Sequence, residues 1–353
     1  MEIAFVSGNP HLPQAVGGVE VNTHALAGEL MRRGHRVSVL AKLSLRTPFG
    51  WWRAVGGVAA GSSLAVDRGL GYPVFRARRP GRHAGALPRL DVAIVQNGAM
   101  LDLAAGFTRL GVPAVAYLHG LGFRSWAKAG GAAAVLPFSG YIANSRFTAG
   151  CLRQLYGIEA AVVPPLIRRE HYLTPVDGAM VTMVNPVAVK GVDLALEIAA
   201  LCPGIPFCLV RGWPLGLRGA AALNRRVRLL PNVELRGSAA DMRTVYRDTR
   251  LLLVPSQWED ETWGRVVSEA QISGIPVIAS NRGGLPEAVG PGGVILPYDA
   301  PAAEWAVAVR TLWSDAGRHR ALSQAAVDHA ARPDLDPERQ IDALIAALER
   351  CVA

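Results

Sequence analysis

The stretch Glu259–Glu287, EDETWGRVVSEAQISGIPVIASNRGGLPE, follows the apolar run LLLVPS at 251–256 and decides how the chain folds. LLLVPS reads as a strand and QWEDET as the loop beyond it. From Gly264, RVVSEAQIS has helical spacing, Val266 with Ala270 and Val267 with Gln271, until Gly274 stops it. PVIAS is then a second apolar strand. Apolar strands alternating with helices give a parallel sheet covered on both faces. Glu261 therefore sits in the loop at the carboxyl edge of the sheet, and Glu269 near the second turn of the next helix. Amides at the positive helix end favour an anion, and Gly264 lets backbone come close to it. An anion that needs carboxylates beside it belongs to a polyhydroxylated molecule, because carboxylates accept strongly from hydroxyls.

Outward from this stretch the same pattern recurs twice. IAFV, RVSVLA, DVAIVQ, AVAYLH, YIAN and AAVVP form one strand series, and MVTMV, FCLVR, VELRG, LLLVPS, PVIAS and VILP another. Helix-period segments lie between most of them, such as Val19 to Arg33, where Val19, Leu26 and Leu30 share a face and Gly34 ends the helix. The spacing predicts an α/β chain of two doubly wound domains, divided within VVPPLIRREHYLTPVDGAM, where prolines and charges interrupt the pattern. The expected domains are 1–168 and 169–353, facing each other across a cleft, with a last helix at about 337–351 crossing back onto the first domain.

Composition agrees with a globular chain: 353 residues, half of them apolar. The net charge of +9 comes from arginines spread along the chain, Lys42, Lys128 and Lys190 being the only lysines, which argues against nucleic acid as a partner. The one dense basic cluster, RARRPGRH at 76–83, reads as a solvated loop, with an anionic acceptor or lipid headgroups as the alternative. Cys151, Cys202, Cys208 and Cys351 form no CxxC pair, so no metal site and no disulfide scheme is expected, in keeping with a cytoplasmic location. No integral membrane segment is expected: the uncharged run 129–145 is broken by Gly131, Pro137 and Gly140. Peripheral contact with a membrane stays open.

With its flanking motifs, VPSQWEDETWGRVVSEAQISGIPVIASNRGGLPEAV resembles the retaining glycosyltransferases of group 1, family four, which have the GT-B fold of two facing Rossmann-like domains. VKGVDLALEIA and GGVEVNTHALAGELMRRGHRVSVL extend the resemblance over most of the chain, least over residues 41 to 90. The resemblance implies that Glu269 holds the nucleotide ribose, that Glu261 lies near the donor sugar, and that Trp263 and Gly264 stand where the family usually has Phe-Gly. It gives Gly17 and Gly18 to a loop sheltering the diphosphate, Lys190 to pairing with that diphosphate, and His119 to a place beside the donor sugar. A dinucleotide fingerprint is a weak reading of the glycines, since no GxGxxG is present.

The pattern departs at Val184-Asn185, where the family typically has Gly-Arg. Asn185 donates a hydrogen bond without a charge, which shifts the load onto Lys190, the helix amides and Arg211 or Arg265. Ser145 reads equally as an N-cap, Gly283-Gly284 as a turn, and Glu287 as a helix-start acid. Trp51, Trp52 and Trp126 are expected in the core, an acceptor pocket being the other reading. The implied reaction is transfer from a nucleoside-diphosphate sugar to an acceptor hydroxyl of a small molecule, saccharide or lipid-linked substrate, with retention and without cofactor or metal. A sugar-nucleotide epimerase and a non-catalytic sugar-nucleotide-binding protein of the same fold are the alternatives.

Overall fold

The computed structural model describes residues 1–59, 63–129 and 136–352, without the side chains of 56–59 and 127–129. Two compact units result, one of Met1–Leu166 with Pro337–Ala353 and one of Ile167–Asp336.

In the first unit the chain runs through β1 (Glu2–Ser7), α1 (Gly18–Arg32), β2 (Arg36–Lys42), α2 (Pro48–Ala59), β3 (Leu64–Asp67) and β4 (Val74–Ala77). It continues through β5 (Val92–Asn97), α3 (Met100–Thr108), β6 (Ala114–Leu118), β7 (Gly140–Ala143), α4 (Arg146–Tyr156) and β8 (Ala161–Val162). The sheet order is β3-β4-β2-β1-β5-β6-β7-β8. Alternation along β1 sends Ile3 and Phe5 to one face and Ala4 and Val6 to the other, so each face has its own core. The pairing is parallel except at the edge, where β3 runs antiparallel to β4. A link of only six residues, Arg68–Pro73, joins these two strands, too short for the crossover that a parallel pair requires.

The second unit contains β9 (Met180–Val184), α5 (Val192–Ala200), β10 (Phe207–Val210), α6 (Gly216–Val227), β11 (Val233–Arg236), α7 (Arg243–Arg247) and β12 (Thr249–Val254). It is completed by α8 (Arg265–Gln271), β13 (Val277–Ser280), α9 (Leu285–Val289), β14 (Gly293–Leu296), α10 (Ala302–Ser314) and α11 (Ala316–Ala330). Its sheet is parallel throughout, in the order β11-β10-β9-β12-β13-β14. The last helix, α12 (Pro337–Val352), packs Ile341, Leu344 and Leu348 into the core of the first unit beside Ile3 and Leu26. Arg33 fastens its outer side through Glu338 and Asp342, each at 2.6 Å.

Two expectations fail here. RARRPGRH is not simply a solvated loop: Arg76 lies on β4 with 0 % exposure, paired with Asp67 at 2.7 Å. Local charge density hid this, because the neutralising carboxylate lies across a strand pair. Arg76 also donates to the carbonyls of His11 and Leu12, in the loop between β1 and α1. Trp126 is in the core, stacked on Phe138, but Trp51 and Trp52 stand exposed on α2.

The same buried cluster holds the loop that leads to Gly17. His11 Nε2 lies 3.0 Å from the Tyr72 hydroxyl, and His24 Nδ1 lies 2.9 Å from it. Burial, aided by the Arg76 charge, lowers the His11 pKa to about 3, so this ring is neutral in the fold.

Removing one partner of a buried ion pair leaves an unpaired charge, so Arg76→Met should cost about 3–5 kcal/mol in denaturant unfolding. Arg76→Met with Asp67→Leu should recover much of that loss. His11 also makes stability depend on pH. Its folded pKa is depressed from about 6.5, so its contribution is complete above that pH. It is lost on acidification toward about 3, at about 1.4 kcal/mol per pH unit. Urea midpoints measured from neutral pH downward should fall along this slope, and His11→Gln should flatten it.

Candidate functional site

In the second unit the chain builds outward from β9 through β10 to β11, then returns to the other side of β9 for β12, β13 and β14. The order reverses between β9 and β12, and ligands of open α/β sheets bind beyond the carboxyl ends of strands at such a switch point. Lys190 follows β9 and Glu261 follows β12. Their side chains meet there, Lys190 Nζ donating to Glu261 Oε2 at 2.5 Å.

Both loops are tightly knit. Gln257 N donates to the Val189 carbonyl at 3.0 Å, and Ser256 Oγ donates to Glu261 Oε2 at 2.9 Å. Gly191 is required beside the lysine, because its φ is +83° and a Cβ would lie 1.9 Å from the Pro255 carbonyl oxygen. The Gly283-Gly284 turn supports the same loop: Gly284 N donates to the Glu261 carbonyl at 2.8 Å. A Cβ on Gly284 would fall 2.0 Å from the Thr262 carbonyl oxygen. That close approach explains why a glycine pair follows the acidic loop.

Lys190 also lies over two indole rings, 4.6 Å from the centre of Trp258 and 5.4 Å from that of Trp213. Asn185 sets the second of these. Its backbone is left-handed at φ +65°, a conformation Asn tolerates better than most residues, and its side-chain oxygen accepts from Trp213 N at 2.8 Å. Asn185 therefore shapes the loop after β10.

Glu269 belongs to a separate group of side chains. Tyr246 donates to its Oε2 at 2.8 Å, Arg265 Nε lies 3.3 Å from Oε1, and Arg265 reaches the Tyr172 hydroxyl at 3.2 Å. Burial, then the Glu269 charge, pushes the Tyr246 phenol well above its ordinary pKa, so it remains a donor. Gly264 opens α8 at φ +84°. Trp263 is corrected as a binding side chain: it is 2 % exposed, packed in the core, with Nε1 donating to Ser268 Oγ at 3.1 Å. The indole is a core side chain, packed with Leu285 and Val267 among others. Glu287 lies in the first turn of α9, and Ser145 caps α4 through the Thr148 amide at 3.0 Å. Arg211 is half-buried and donates to Asn224 at 3.1 Å.

In the first unit the strand order reverses between β1 and β5. A cavity of about 290 Å³ opens beside that point, lined by residues 96–102 at and beyond the end of β5 and by Leu118, His119, Gly120, Phe123 and Trp126 around the end of β6. His119 packs on Tyr117 with ring centres 4.1 Å apart, and its Nε2 donates to Gln96 Oε1 at 3.0 Å. Burial lowers its pKa to about 3, so His119 is a neutral hydrogen-bonding group and not a cation. Gly17 is the N-cap of the 15-residue α1 and Gly18 its first residue, and the cap makes no side-chain hydrogen bond to the first turn. Gln14 ties this loop to Ser44 O at 2.7 Å and Thr47 Oγ1 at 2.9 Å.

Sequence reasoning missed Trp213, Trp258, Tyr246, Tyr172 and Gln96. Trp213 and Trp258 each follow a strand end closely, a signal that was available. Tyr246 and Tyr172 reach Glu269 and Arg265 from distant segments and carry no local signature. Among the described residues no three or more His, Cys, Asp or Glu side chains gather as metal ligands, and no helix is long and apolar enough to cross a membrane.

Residues 16–171 match the family model described as Glycosyltransferase Family 4, and residues 179–315 match that of Glycosyl transferases group 1. D-inositol 3-phosphate glycosyltransferase of Mycobacterium leprae is 35% identical over 190 residues, covering 50% of this chain and 43% of the relative. The enzyme of that name from Segniliparus rotundus is 31% identical over 218 residues, covering 54% and 48%. The chain thus spans about half the length of these curated relatives. Among solved structures, a glycosyltransferase from Rickettsia africae superposes with a TM-score of 0.76 at 14% identity, covering 99% of both chains. Anabaena Alr3699/HepE in complex with UDP-glucose gives 0.76 at 18% identity, covering 99% of this chain and all of that one. With a family match over each unit and the architecture of these GT-B neighbours, the chain belongs to the group 1, family 4 glycosyltransferases.

Proposed function

We propose that the chain transfers a glycosyl group from a nucleoside-diphosphate sugar to an acceptor hydroxyl with retention of anomeric configuration. The observation that carries this reading is the meeting of Lys190 and Glu261 at the β9/β12 switch point. A lysine ammonium has three donors, and the Glu261 contact engages one of them. In the proposal the others face the diphosphate, and Glu261 keeps the ammonium aimed. Glu269, fixed by Tyr246 and Arg265, accepts from the ribose hydroxyls. The UDP-glucose complex of the Anabaena neighbour supports a nucleotide-sugar donor.

In this reading the leaving diphosphate gathers charge as the sugar becomes oxocarbenium-like, and a phosphate oxygen takes the acceptor proton as attack comes on the same face. The protein's contribution is charge stabilisation already in place before reaction, from Lys190 and the helix-start amides, with no resident metal. His119, being neutral, is assigned to hydrogen bonding with a sugar hydroxyl. The small residues and aromatic wall of the neighbouring cavity suit a compact acceptor group.

Lys190→Ala should lower turnover on the order of 100-fold or more, measured as kcat with a saturating donor. A wild-type rate in that variant would remove the lysine from the mechanism. The donor itself is tested by melting the protein with UDP, GDP, ADP, dTDP and their sugars. The matching nucleotide at a hundred times its Kd should add about 2.7 kcal/mol of stability. No shift with any of them would refute the nucleotide-sugar reading, and a shift without turnover in the presence of acceptors would mark a binding protein.

A further inference from the structure

From residue 30 to residue 90 the chain has twelve Lys and Arg residues and one acid, Asp67. That acid is buried and neutralised by Arg76. Arg32, Arg33 and Arg36 are paired with Glu29, Glu338, Asp342 and Glu2. Lys42, Arg46, Arg53, Arg78, Arg79 and Arg82 have no carboxylate partner among the described residues.

Arg53 lies on α2, and Lys42 and Arg46 lie on the chain that leads into it. The helix turns Phe49 and Gly50 inward: the Phe49 ring lies 5.2 Å from the Arg53 guanidinium carbon and 5.0 Å from that of Arg76. Gly50 packs so closely that a Cβ would fall 1.8 Å from the Ser44 carbonyl oxygen. The opposite side presents Trp51, Trp52 and Val55, exposed by 61%, 81% and 57%. β2 and β4 are parallel neighbours, so residues 43–47 and 78–79 leave the same edge of the sheet, joined where Leu43 N donates to the Ala77 carbonyl at 2.8 Å. Two adjacent indoles and a valine therefore project from a helix flanked by exposed cations.

We propose that this face of the first unit docks on an anionic lipid bilayer, with Trp51, Trp52 and Val55 entering the interface and Lys42, Arg46, Arg78, Arg79 and Arg82 meeting the headgroup charge. Charge complementarity selects the occupant, since a segment with twelve cations and a single acid, itself buried against Arg76, suits a negative plane. Indoles prefer the boundary between headgroups and hydrocarbon, where a ring is buried and its N–H stays wet. The proposal is independent of the donor chemistry assigned to the second unit.

The test is co-sedimentation of the full chain with vesicles of phosphatidylcholine alone and with added phosphatidylglycerol. Binding should require phosphatidylglycerol and weaken with salt. The double variant Trp51→Ser/Trp52→Ser and the charge variant Arg78→Glu/Arg79→Glu should each lower the vesicle affinity by about tenfold or more. Both alter exposed side chains, so each should keep the wild-type melting temperature. Absence of binding to phosphatidylglycerol vesicles, or equal binding by the wild type and both variants, would overturn the proposal. So would a wild-type dimer that the tryptophan variant disperses, in a chain that ignores vesicles, because the face would then serve a second copy.

Discussion

The contact between Lys190 and Glu261 is the constraint around which the second unit is arranged. An ammonium and a carboxylate at 2.5 Å, one half-buried and the other buried, hold together only if the groups around them satisfy their remaining bonds. Ser256 does this for the carboxylate, and the rings of Trp213 and Trp258 flank the ammonium. Neither loop has regular structure around the contact. Their positions come instead from main-chain bonds across the β9/β12 junction and from glycines at Gly191 and Gly284, where nothing larger fits. The sheet order is thus a chemical fact as well as a topological one, since it brings residues seventy-one positions apart to one point.

The parts of this arrangement that the sequence made legible are those with local signatures. Alternating apolar strands and helical segments recovered the strands of both sheets except β3 and β4, which the strand series passed over, and Gly264, Ser145 and the Gly283-Gly284 turn were legible from their own chemistry. Tertiary partners were not. Tyr246 bonds Glu269 from the helix before β12, and Tyr172 reaches Arg265 from a segment ninety-three positions away. Arg76 misled for the same reason in reverse: surrounded in sequence by basic residues, it looked solvated, while its partner Asp67 stood on the adjoining strand. Trp51 and Trp52 misled because an aromatic pair on a short, weakly charged segment reads as core until packing shows that the inward face is already filled by Phe49 and Gly50.

The first unit repeats the construction with different chemistry. Its switch point lies between β1 and β5, where Gly8 N donates to the Asn97 carbonyl at 2.8 Å, and Gln96, Thr23 and a His119 that burial keeps unprotonated stand near Glu20, whose carboxyl pKa burial pushes up. The second unit places its ion pairs at the corresponding point.

That pairing of charges also limits what the second unit can favour. Lys190 is already neutralised by Glu261 and Arg265 by Glu269, so the four side chains present no net charge to an approaching ion. A bare phosphate would meet the carboxylates together with the cations and gain little. A ligand that carries phosphate and hydroxyl groups a few ångströms apart gains from both, because its oxygens accept from the ammonium and its hydroxyls donate to the carboxylates. In the proposed function, pairing each cation with an acid is what selects such a ligand, and Tyr246, Ser256 and the two tryptophans hold those pairs in place.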